Sequence, residues 1–121
     1  MRIQRLILLA LLFSLAAQSG LAQNQIVLAR VVVSRSLSGH VYFGYQKSAA
    51  QGVTVELCST GWQSVIAATK TDDKGYFALE ALPGKLFYLR LSSYGLRSLN
   101  VRVRIKKHAT KDLTLEVENA V

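Results

Sequence analysis

The 121-residue sequence predicts an all-β fold: a Greek-key β-sandwich of about seven short strands, with room for an extra N-terminal edge strand. Three observations lead there. Apolar and polar residues alternate in period two through run after run, the pattern of half-buried strands. Gly, Asp, Pro and Ser turn residues punctuate these runs at a spacing of about 8 to 12 residues. No stretch beyond Gln23 shows a convincing helical period.

The first segment stands apart. Arg2 and Arg5 precede the apolar run Leu6 to Ala17, and Gln18-Ser19-Gly20-Leu21-Ala22 closes it with small residues three and one before a cleavage point. This three-part layout over residues 1–22 is that of a secretory signal peptide. The run of 12 residues falls short of the about 20 that a spanning helix needs. An uncleaved helical anchor is the alternative. A lipoprotein would need Cys after the cleavage point, where Gln23 stands. The expectation is an exported protein, periplasmic or extracellular, with no transmembrane span once the leader is removed. Its 99 residues from Gln23 to Val121 carry 13 Lys and Arg against 7 Asp and Glu, so the formal charge falls from +8 to +6. That length is one domain's worth. One Pro, one Cys and two His exclude a disulfide framework, a Pro-rich linker and a zinc site built from Cys and His.

Residues 23–37 read as an arm or edge strand. The apolar run Ile26 to Val33 contains Arg30, and its β-branched content favours a strand, although Ile26, Arg30 and Val33 also fit a helical spacing. Val41 and Phe43 follow Gly39, and Val53, Val55 and Leu57 alternate with Thr54 and Glu56 after Gly52. Ser64 to Thr71 is a weaker run. After the turn Asp72-Asp73-Lys74-Gly75, Phe77 and Leu79 alternate with Tyr76, Ala78 and Glu80. Phe87, Leu89 and Leu91 alternate with Tyr88 and Arg90 between Pro83-Gly84 and Ser92-Ser93-Tyr94-Gly95. Val101, Val103 and Ile105 oppose Arg102, Arg104 and Lys106, and Leu113, Leu115 and Val117 oppose Thr114, Glu116 and Glu118. These last two runs, joined by Lys107 to Asp112, are expected to pair antiparallel, with Arg102 opposite Glu116.

Gly39-His40-Val41, Gly52-Val53-Thr54-Val55, Thr71-Asp72-Asp73-Lys74-Gly75-Tyr76-Phe77 and Leu82-Pro83-Gly84, in that order, resemble the carboxypeptidase regulatory-like domain. The likeness covers Ser38 to Val117, and the domain itself is expected over 38–121. It implies a seven-stranded sandwich of the prealbumin, or transthyretin-like, type. Its most specific piece is Thr71 to Gly84, where Gly at the last turn position admits a positive dihedral and the aromatic two residues later enters the core. Phe87 follows Gly84 by three residues rather than the family's usual two, which implies a longer or bulged turn.

The resemblance implies no peptidase activity, because in that family the domain accompanies a catalytic zinc domain or an outer-membrane receptor. His40 reads as a strand residue and His108 as a solvated loop residue, too few for a catalytic zinc with three protein ligands. The hydroxyisourate hydrolases share the sandwich and end in Tyr-Arg-Gly-Ser, whereas this sequence ends Glu118-Asn119-Ala120-Val121. Ser59, Ser64 and Ser92 form no nucleophile grouping by spacing. The Asp72-Asp73 turn lacks the alternating carboxylates of a calcium loop. No enzyme activity, cofactor or metal is therefore expected.

Two binding modes remain: a protein partner met through a sheet edge, with self-association as one form of it, or a cell-surface glycan met through aromatics. Transthyretin-like folds associate by their edges, as the resemblance implies. Tyr45, Trp62, Tyr88 and Tyr94 are the candidate ligand-contacting aromatics, with Tyr42 also off the core face; packing over loop ends is their plainer role. Arg97, Arg102, Arg104, Lys106, Lys107 and Lys111 form a candidate basic patch able to attract polyanions. No nucleic-acid motif accompanies it, so nucleic acid is not expected as a partner and a solubilising sheet face is the plainer account. Cys58 has no partner in the chain and reads as a buried thiol, with an intermolecular disulfide or reactive thiol as the alternative.

Overall fold

The computed structural model describes residues 25–44, 46–80 and 85–120. The expected signal peptide, Tyr45 and the Pro83-Gly84 turn lie outside the described residues. In chain order the strands are β1 (Gln25–Val27), β2 (Val32–Ser34), β3 (Leu37–Phe43), β4 (Ser48–Ala49), β5 (Thr54–Cys58), β6 (Val65–Lys70), β7 (Tyr76–Leu79), β8 (Leu86–Ser92), β9 (Ser98–Ile105) and β10 (Leu113–Val117). A single-turn 3-10 helix, Thr60–Trp62, joins β5 to β6. Each alternating run is a strand, and the fold is an all-β sandwich. One sheet runs β1-β9-β8-β5-β6 with β2 also on β9; the other runs β10-β3-β4 with β7 on β3.

The period-two rows decide which face turns inward. Val55, Leu89, Leu91, Val101 and Val103 of the first sheet and Val41, Phe77, Leu113 and Val117 of the second are buried between them. Each such side chain contributes about 1.5–3 kcal/mol on burial, and a one-residue slip would turn a whole row to solvent. Two glycines are required by space. A Cβ on Gly39 would strike the Leu113 carbonyl, so Gly39 lets β3 and β10 approach. Gly75 has φ +76° and donates its N–H to the Asp72 carbonyl at 3.0 Å, closing the turn that the sequence predicts, and Phe77 then enters the core.

Two expectations are corrected. β9 and β10 do not pair: β10 runs parallel to β3 in the other sheet, with Glu116 beside Tyr42, while β9 pairs with β8. Alternation reports an inward face, and two strands facing one core from opposite sheets alternate just as a hairpin does. Arg102 instead stands beside Tyr88 and donates to the Ala29 carbonyl. The Ile26 to Val33 run is not one element. It forms two three-residue strands, β1 and β2, both parallel to β9 and broken around Arg30.

Strand registers also define two ends. Ser34 lies beside Ile105, Leu86 beside Arg104 and Cys58 beside Tyr88, so the 35–36 turn, the 3-10 turn, Lys85 and the β9–β10 connection share one end, here the Lys106 end. Gly44, Gln46, Lys47 and the 72–75, 93–97 and 118–120 segments share the other, the Gly75 end.

Candidate functional site

Trp62 is held as part of the fold. It has φ +57°, a left-handed conformation costly for a bulky residue, and reciprocal hydrogen bonds hold it there. Its indole Nε1 donates to the Leu89 carbonyl at 2.9 Å, and Arg90 Nη2 donates to the Trp62 carbonyl at 2.7 Å. The Tyr88 ring meets the indole edge-on, with centroids 5.0 Å apart and planes at 89°. Arg90 also faces Glu56 at 3.9 Å. Of the sequence-derived aromatics, Trp62 and Tyr88 thus come together, but edge to face rather than as a flat platform. Tyr94 is fully exposed at the opposite end of the sheet, in the turn where Leu96 N–H bonds the Ser93 carbonyl. A second aromatic group escaped the sequence reading. His40 stacks on Tyr42 at 6.1 Å and tilts against Tyr76 at 5.3 Å on the outer face of the second sheet. Its signal was the i, i+2 spacing of His40 and Tyr42; the Tyr76 contact required the β3–β7 register.

The most exposed apolar strand is β6. It ends the first sheet and pairs with β5 alone among the described strands. Its residues Val65 to Ala68 are exposed, with Ile66 at 66%. Val65 sits opposite Cys58 and Ala67 opposite Leu57, so Ile66 is an extra residue, a bulge that turns its side chain outward. Ile66 also lines an open groove of about 830 Å³ with Leu57, Cys58, Leu86, Phe87 and Tyr88. No charge interrupts the strand before Lys70, whereas solvent-facing edges are usually guarded by charges or Pro.

The basic patch is regrouped by the fold. Arg97 lies at the Gly75 end, where its N–H bonds the Glu118 carbonyl at 2.9 Å, and Arg102 lies mid-sheet against Ala29. Arg104, Lys106, Lys107 and Lys111 stay together at the Lys106 end. Arg35 joins them, its N–H bonding the Lys111 carbonyl at 3.0 Å, as does Lys85 at the start of β8. Neither could be placed there by spacing, being 76 and 26 residues from Lys111 along the chain.

A family model, the CarboxypepD_reg-like domain, matches residues 37–121. The chain belongs to this family. The match begins at the first residue of β3 and takes in every later strand, leaving β1 and β2 outside it. No curated protein matches the chain.

Within this CarboxypepD_reg-like domain, Cys58 is buried beside the groove, and burial pushes its thiol above the ordinary range despite the nearby Arg90. A raised thiol is a poor nucleophile. Asp72 is held below the usual carboxylate range, because its Oδ1 accepts from Tyr76 N–H and Lys74 N–H, both at 2.9 Å. That is a turn-stabilising role. Among the described residues no three His, Cys, Asp or Glu side chains group to hold a metal. Ser59 and Ser64 hydrogen-bond each other at 3.0 Å across the loop that carries Trp62.

Proposed function

We propose that the protein is a non-enzymatic, exported accessory module that binds a protein partner by adding a strand to β6. One observation carries this reading: β6 is an apolar edge with no charge before its last residue, Lys70, and its bulged Ile66 lines the adjoining groove. In strand addition, main-chain hydrogen bonds supply affinity and side-chain pockets supply specificity. β6 offers the first and the groove the second. Export rests on the leader-like layout of residues 1–22, and the accessory role on the family, whose domains accompany other proteins.

Glycan binding is the second reading, and the geometry favours it less. Trp62 spends its N–H and one face on the fold, and Tyr94 stands alone. A glycan array tests the choice. The edge reading expects no retention above background; retention abolished by free sugar would overturn it.

A further inference from the structure

Beyond that reading, we propose that the Lys106 end of the sandwich docks on a membrane carrying anionic headgroups. Six cations stand there, Arg35, Lys85, Arg104, Lys106, Lys107 and Lys111, against two carboxylates, Glu80 and Asp112. Among the described residues Arg35 alone is paired at that end, with Asp112 at 3.5 Å. At the Gly75 end Lys47, Lys70, Lys74 and Arg97 are balanced by Asp72, Asp73, Glu116 and Glu118. The positive excess of the chain is therefore polarised toward one end.

The layout of these cations selects the partner. They come from the 35–36 turn, the residue before β8, the end of β9 and the β9–β10 connection, so they are distributed over separate segments that span the ends of both sheets. A spread array complements an extended negative surface better than a single small anion. Val33, 47% exposed and in register with Arg104, sets an aliphatic side chain among them. Lys stems and a valine suit the boundary between headgroups and acyl chains. Among the described residues at that end, Phe87, Tyr88 and Trp62 are half-buried and His108 alone sets an exposed ring there, which gives no row of rings for successive unpaired bases to stack on.

The test uses protein recovered from the exporting cell, sedimented with vesicles of phosphatidylglycerol and phosphatidylcholine or of phosphatidylcholine alone. Binding is expected only to the anionic vesicles and should weaken as salt shortens the screening length. Each cation near an anionic leaflet multiplies partitioning about fivefold, so the triple variant Lys106→Gln, Lys107→Gln, Lys111→Gln should lose about a hundredfold. The equal-charge triple Lys47→Gln, Lys74→Gln, Arg97→Gln at the other end should change little, and thermal melts confirm that both variants fold. Equal losses in both triples, loss in neither, absence of vesicle binding, or retention on a DNA column without vesicle binding would each overturn the proposal. None of these substitutions touches β6, so failure here leaves the edge reading standing.

Discussion

Thr71→Val should destabilise the protein far more than Thr71→Ser. Thr71 is 4% exposed just beyond β6. Its Oγ1 accepts from Val53 N–H at 2.9 Å and donates to the Ala50 carbonyl at 2.6 Å. Valine keeps the shape but strands both backbone groups in a dry site, and each such loss costs about 1–3 kcal/mol. The expected total is about 2–6 kcal/mol, a large share of the about 5–15 kcal/mol of a typical domain. Thr71→Ser keeps the hydroxyl and removes only a methyl, at about 1 kcal/mol. Urea unfolding of the three proteins reads the difference as midpoint shifts at constant slope. A valine variant as stable as the serine variant would refute the hydrogen-bond account. The same hydroxyl ties the end of β6 to the start of β5, so it also sets the position of the free edge.

Gly75→Ala should lower the melting temperature by at least about 5 °C, since a left-handed alanine costs about 1–2 kcal/mol and its Cβ meets the Val41 carbonyl. Cys58 should react with a thiol reagent only as the protein unfolds. Its folded pKa lies above its unfolded one, so its contribution is complete below the ordinary thiol range, about 8.5, and is lost as pH rises through the folded value; Cys58→Ala should flatten that alkaline limb. Asp72 acts in the opposite direction. Its depressed carboxylate contributes above the ordinary value, about 3.9, and the contribution fades as pH falls through the folded value, so Asp72→Asn should flatten the acid limb of a stability profile.

Much of this architecture was legible because burial imposes period two, and Val101 to Ile105 or Leu113 to Val117 declare their inward faces residue by residue. Pairing partners were not legible. The Lys107 to Asp112 connection is long enough for a hairpin and also long enough to change sheets, and only long-range packing decides, here through Gly39 admitting β10 beside β3. Site residues fared by locality. The Asp72 to Gly75 turn and its Phe77 were readable because turn chemistry is local. Trp62 was singled out as a surface aromatic, yet its partners Leu89 and Arg90 lie 27 and 28 residues away, so its structural role needed the fold. The β6 edge appeared in the sequence only as a weak run. Val65 and Ile66 break strict alternation because one is bulged, and a bulge is set by the neighbouring strand.

The edge reading is tested most directly by placing a photo-crosslinking amino acid at position 66 in the cell that makes the protein, with position 94 as the control. The account predicts a discrete protein adduct from position 66 that is lost when Ala68→Lys adds a charge to the edge, and no such adduct from position 94. A folded protein that yields no adduct from position 66, or equal adducts from both positions, would contradict it.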